Sequence, residues 1–340
     1  MTKLYKILFL SSTAMGTLIA ISSQSWLGMW MGLEINLLSI IPMLSTSKNV
    51  LTNESSMKYF IVQAIASSMI MISIIILIMK NFLQMTFNYS LSEMIMNSAL
   101  LTKMGMAPFH FWFPEVMEGQ KWGNCLLIMT WQKIAPMILI MYNMNFPLII
   151  ALIIMISMVI SGLMGINQIS LRKILTYSSI NHMGWMMGTM LTFKTIWFMY
   201  FSIYTLTTIY IVLILKKLKI YFLNQLFQSM NIYPMMKMLF IFNFLSLSGI
   251  PPFLGFIPKW LTIQFMINSN MIMTPTIMII FTLVTMYMYI RITLSSLLMN
   301  SNQIFWSLTS KLSVKNMNIG SINFFSISSM ILITITFMFL

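Results

Sequence analysis

The sequence has no aspartate, one cysteine (Cys125) and two histidines (His110 and His182) in 340 residues. A lone cysteine excludes an internal disulfide and any thiolate cluster. So few soft or carboxylate donors argue against a metal site. There is no G-x-G-x-x-G, no P-loop and no Cys-x-x-Cys, so nucleotide, flavin or iron–sulfur chemistry on this chain is not expected. No nucleophile stands with a base, and no catalytic residue is assigned. Charge is scarce as well: 7% of residues are charged, against about 25% in a soluble domain. All five acids are glutamates. No stretch is polar enough to form a separate water-soluble domain.

What remains is apolar. The chain is 59% hydrophobic, with a mean hydropathy of +0.89. That composition predicts an all-α polytopic membrane protein forming one membrane domain over residues 1–340. The 41 methionines are read as a codon-usage signature rather than a binding surface. A spanning helix needs about 20 apolar residues, and about eleven such spans are expected. They run over 3–21, 25–43, 57–79, 93–119, 123–142, 147–166, 172–191, 195–215, 238–267, 272–297 and 321–340. Lys3 and Lys6 ahead of the first run imitate a signal peptide, but a second apolar run follows at once, so the first is read as a retained span.

The net charge of +14 would point to nucleic acid in a soluble protein. Here the basic residues sort by loop, so topology is the better reading and no nucleic acid is expected. Alternate loops collect thirteen of them, among them Lys121, Arg172, Lys173, Lys216 and Lys217, while the opposite loops hold Lys80 and Lys194. That sorting puts the N-terminus on the inner side and the C-terminus outside.

Spans 93–119 and 238–267 are too long for simple helices. They contain GMAPFHFWFP and GIPPFLGFIP, 144 positions apart. Gly105 and Pro108 match Gly249 and Pro252, with Pro251 beside them. Glycine lets a chain turn and proline removes a backbone donor, so both spans are expected to be discontinuous helices. The same shift carries the first five spans onto the next five. Five is odd, so the second copy enters from the opposite face. Two inverted five-helix repeats are predicted, about 3–143 and 147–298, with 321–340 left over. Such breaks line hydrated cavities in transporters, or else are simple packing kinks.

Four charges fall well inside the spans: Glu34, Lys103, Lys133 and Lys259. A lysine at the bilayer centre costs about 2.5–3.5 kcal/mol on insertion scales, so partners or water are required. Glu34, in GLEINLL, and Lys103, in LLTKMG, make a natural pair. At about 4 Å and an effective dielectric near 20 their attraction is about 4 kcal/mol. That couples the proton affinity of one to the charge of the other. The alternative is a static pin between helices, and the break beside the pair favours the coupled reading. Lys133, in TWQKIAP, either exchanges protons in a desolvated setting or snorkels to the surface. Lys259 follows the second break and either lines a cavity or approaches a membrane face. His110 and His182 can relay protons or can simply bond a neighbouring helix. Ser178 lies 144 positions after Glu34, so the second copy lacks the acid. These residues together describe a proton or cation pathway in an inverted-repeat bundle.

SWLGMWMGLEINLLSIIP, LLTKMGMAPFHFWFPEVMEG, MTWQKIAP, LRKILTYSSINHMGW and LSLSGIPPFLGFIPKW resemble the insect-type chain 2 family, the antiporter-like membrane subunits of mitochondrial NADH–ubiquinone oxidoreductase (respiratory complex I). The resemblance covers essentially the whole chain. It implies that Glu34 and Lys103 are the family's glutamate–lysine pair. It makes Lys133 the central-axis lysine and Lys259 the lysine after the second broken helix. It implies a translocase subunit contributing a proton path to electron transfer from NADH to ubiquinone. NADH, FMN, the iron–sulfur clusters and ubiquinone would belong to other subunits, and no cofactor to this chain. The implied partners are other antiporter-like and small hydrophobic membrane-arm subunits, with cardiolipin at the basic face. The implied location is the mitochondrial inner membrane, with the N-terminus in the matrix and the C-terminus in the intermembrane space. A stand-alone cation/proton antiporter and a purely structural membrane subunit are the competing readings.

Overall fold

A long apolar run in hydrocarbon must satisfy its peptide groups within itself, and the helix is the single-segment solution. The computed structural model describes residues 4–46, 49–83, 89–232 and 234–298. Fourteen helices are found among them. They are α1 (Leu4–Ser22), α2 (Trp26–Leu44), α3 (Val50–Leu83), α4 (Tyr89–Met104), α5 (Trp112–Gly119), α6 (Trp122–Met129), α7 (Trp131–Tyr142), α8 (Pro147–Ile166), α9 (Leu171–Thr192), α10 (Lys194–Leu218), α11 (Leu223–Ile232), α12 (Pro234–Ser248), α13 (Phe256–Asn268) and α14 (Met273–Leu298). By length and composition seven stretches can cross a membrane: α1, α2, α3 as far as Met79, α6 with α7, α8, α10 and α14. The expected span 321–340, with Lys3, Lys48, Lys311 and Lys315, lies outside the described residues.

The expected spans up to 297 fall on helices, with three differences of detail. Helix α3 starts at Val50, seven residues before the apolar run expected at 57. Its first turns are polar, so hydropathy missed them while the helix formed regardless. The run 123–142 is interrupted at Thr130, where φ is −115° and ψ is −71°. Pro136 lies inside α7, where its ring crowds the carbonyl of Gln132 and leaves it without a ladder donor. The third difference is α11, which no long apolar run announced. Leu226 and Met230 are buried on it at helical spacing. Backbone bonds Leu171 N–H to Tyr221 O (2.9 Å) and Leu223 N–H to Ile169 O (3.3 Å) fasten the chain ahead of it.

The described residues group into two compact units. The first takes those up to Ser161 together with Arg172–Met187, and the second takes Gly162–Leu171 and those from Gly188 onward. In the first unit, α1 and α2 meet backbone to backbone. Gly16 and Ala20 on α1, like Gly28 and Gly32 on α2, repeat small residues at four-residue spacing, which lets membrane helices approach closely. A methyl on Gly32 would overlap the Ala20 backbone nitrogen, and one on Gly16 would lie 2.8 Å from Asn36 N. Elsewhere the core is filled heavily by methionine, including Met96, Met104, Met106, Met117 and Met137.

Replacing Gly32 with valine is expected to destabilise the α1–α2 contact by at least about 1–3 kcal/mol, the usual range for overpacking. The check is the midpoint for thermal loss of helical circular dichroism, which should fall. An unchanged midpoint would contradict backbone contact at this glycine.

Candidate functional site

The two motifs that share G-x-x-P-F interrupt their helices in the same way. Helix α4 stops at Met104 and the chain turns left-handed at Gly105, with φ +71°; α12 stops at Ser248 and turns at Gly249, with φ +79°. A β-carbon is disfavoured at that φ, which is why glycine stands there. Pro108, Pro251 and Pro252 follow the turns and are exposed.

A helix that ends inside a membrane leaves carbonyls without ladder donors. At the first break Met106 N–H reaches Leu101 O and Gly105 N–H reaches Thr102 O, both at 3.1 Å. This is the Schellman pattern. Trp112 Nε1 adds a second donor to Thr102 O, and Gln63 Nε2 donates to Lys103 O, again both at 3.1 Å. At the second break Ser248 Oγ donates to Leu245 O at 2.6 Å and Gly249 N–H to Ser246 O at 3.1 Å. Lys259 Nζ donates to Leu247 O at 3.3 Å and to Ser248 O at 2.8 Å. The four last carbonyls of α12 are thereby all accounted for. Lys259 is 8% exposed. Its amine therefore sits on the negative end of a half-helix, where a cation is favoured.

In the first unit two of the expected charges, Lys103 and Lys133, come near the first break, and a third, Glu34, acts on Lys103 from α2. Lys103 lies in the last turn of α4 and is 6% exposed; Lys133 on α7 is 1% exposed. The Lys133 amine lies 5.2 Å from the ring centre of Phe113, within cation–π range. Phe113 in turn packs against Gly105. Glu34 on α2 is half-buried, and its charge acts on Lys103. The two do not form a contact ion pair. Among the described residues the pairs within 4 Å are Lys58–Glu54 and Lys58–Glu115, both 3.1 Å, and Lys173–Glu118, 2.6 Å. The interaction expected at contact distance thus acts at longer range. His110 lies in the first break, buried, with Nδ1 3.3 Å from Pro108 O and its ring beside Phe111 and Tyr177. His182 is buried on α9 in the same unit.

A chain of neutral polar groups ties these helices together, and sequence reading missed it. Tyr59 Oη on α3 donates to Gln132 Oε1 (3.4 Å), and Gln132 Nε2 donates to Asn36 Oδ1 (2.9 Å). Helices α3, α7 and α2 are so joined one residue from Lys133 and two from Glu34. The available signal was adjacency: Asn36 and Gln132 stand beside the charges in GLEINLL and TWQKIAP. A cavity of about 260 Å³ also opens beside Pro108 and Phe109, walled by Leu101, Ile150 and Met187. Its lining suits hydrocarbon, not an ion.

The family described as "NADH:quinone oxidoreductase/Mrp antiporter, TM" matches residues 23–285. The chain belongs to this family. Relatives of the antiporter family at high identity include NADH-ubiquinone oxidoreductase chain 2 of Anopheles gambiae, 45% identical over 99% of both chains. Chain 2 of Ovis aries is 39% identical over 88% of this chain and 87% of that one. Among solved structures, a chain of respiratory complex I from Thermus thermophilus superposes with a TM-score of 0.79 at 24% identity, covering 86% of this chain and 71% of that chain. A chain of the Mrp complex from Dietzia sp. does so with a TM-score of 0.72 at 15% identity, covering 84% and 59%. The structural likenesses establish the antiporter-family fold.

Gln132→Leu should strand the Asn36 carbonyl and the Tyr59 hydroxyl, at a cost of about 1–3 kcal/mol. The thermal stability of the solubilised assembly would record it. Gln132→Leu and Asn36→Leu combined should cost less than their sum, since both cut one network. Strict additivity would mean that the network does not exist.

Proposed function

We infer that this chain is a core antiporter-like membrane-arm subunit of NADH:ubiquinone oxidoreductase, and that its buried charges carry part of the proton path. The observation that carries the first half is the 45% identity, end to end, with a chain 2 protein. It is an integral membrane protein of the respiratory chain, and its partners are other subunits of that complex.

For the path, Glu34, Lys103 and Lys133 serve the first unit and Lys259 the second. What supports this is cost. Three lysines with 8% exposure or less are expensive to place in a membrane helix unless they act there. Glu34 biases Lys103 by its charge. The Lys133 amine and the break are linked through Phe113. His110 and His182 are further relay groups. Protons are passed by alternating protonation along these groups with water between them. The redox cofactors reside on other subunits.

The two halves form an inverted repeat. In support, the starts of α1, α2, α3, α4 and α5 precede those of α8, α9, α10, α12 and α13 by 143 to 145 positions. The sorting of basic loop residues supports an inner face, which we read as facing the matrix of a mitochondrion, with cardiolipin bound there. An independent cation antiporter is the second reading. The likeness to the Mrp chain favours it, at the level of fold alone.

Lys103→Met and Lys133→Met should each leave assembly intact and lower proton pumping several-fold. Proton uptake by inner-membrane vesicles after NADH addition measures it. Normal pumping in Lys103→Met would remove that lysine from the path. The purified chain reconstituted alone should move no sodium; sodium flux would favour the second reading.

A further inference from the structure

The second break contains a close contact that the first lacks. A β-carbon on Gly249 would lie 2.8 Å from Lys259 Nζ, 2.9 Å from its Cδ and 3.1 Å from its Cε. Real β-carbons essentially never come within 3.0 Å of another heavy atom, so the first two of these contacts would force a shift. The lysine side chain therefore lies across the face of the glycine, in the space a side chain would fill. From that seat its amine reaches Leu247 O and Ser248 O. At Gly105 the corresponding space is taken by Phe113 Cβ at 3.0 Å and Trp112 Cζ2 at 3.1 Å. The first glycine thus seats aromatic rings and the second seats an amine. Gly255, at the start of α13, completes the arrangement. Its own missing side chain admits the carbonyl of Ser246, bringing the start of α13 against the last turn of α12.

We propose that Gly249 is a positioning residue for Lys259, holding the amine on the carbonyl end of α12 by the absence of a side chain. This rests on the reading of Lys259 as a proton-path residue and adds a geometric requirement to it. The left-handed turn explains why a glycine is favoured at this position. The contact with the amine gives it a second duty, which the turn alone does not demand. A proton arriving at Lys259 meets an amine already aimed at two carbonyls. With a methyl at 249 the end of the lysine side chain must shift, which moves the amine off its present seat on the two carbonyls.

The test uses the assembled respiratory complex carrying Gly249→Ala, Lys259→Ala, or both. Lys259→Ala probes the underlying reading: normal proton pumping would overturn the path role itself, whatever Gly249 does. Gly249→Ala probes the inference. Its pumping should fall at least about tenfold, since a single lost charge-assisted hydrogen bond already has that order and two are disturbed. A cryo-electron microscopy map should show the Lys259 amine withdrawn from both carbonyls. Normal pumping, or an amine still on both, overturns the inference. If Gly249→Ala fails to assemble, the double variant decides. Removing the lysine removes the clash, so assembly should return. Failure of the double variant would assign the defect to backbone strain at φ +79° and overturn the proposal.

Discussion

A carbonyl inside a membrane must find a donor within the protein or in trapped water, and this requirement organises what surrounds both helix breaks. An unpaired backbone group in hydrocarbon costs several kcal/mol, and a lysine at the bilayer centre costs about 2.5–3.5 kcal/mol on insertion scales. Each is costly alone. At the second break they offset one another. The carbonyls of Leu247 and Ser248 need donors, and the Lys259 amine needs acceptors and a negative field. The end of α12 supplies both. A broken helix and a buried cation are thus one structural unit.

The first break meets the same requirement with neutral donors. Gln63 and Trp112 take the carbonyls of Lys103 and Thr102, and the Lys103 amine plays no part in that capping. It remains under the charge of Glu34. The two copies of one motif therefore handle their cations differently. One lysine closes a helix end, while the other feels the charge of an acid on α2.

Much of this was legible because the signals are strong and local. Apolar runs locate the helices, and Gly105 and Gly249 mark the turns, since few other residues accept a left-handed φ. The burial of Lys103, Lys133 and Lys259 follows from their place within long apolar segments. What was not legible depends on side-chain reach across helices. Nothing in the sequence places Gln63 against the Lys103 carbonyl, forty positions away. Nor does it say that Glu34 and Lys103 stop short of contact. The interruption at Thr130 was hidden because hydropathy runs unbroken through it, and α11 because its apolar face is one short stripe.

The methionine-filled core has a chemical consequence. A thioether accepts one oxygen atom to become a sulfoxide, which is polar and chiral. Met104, Met106 and Met117 are sealed among helices and are shielded from dissolved peroxide. Met15, Met31 and Met57 face outward, each more than half exposed. By exposure within this chain alone, the outward set is the more open to that oxygen and the sealed set is reached only where helix packing opens.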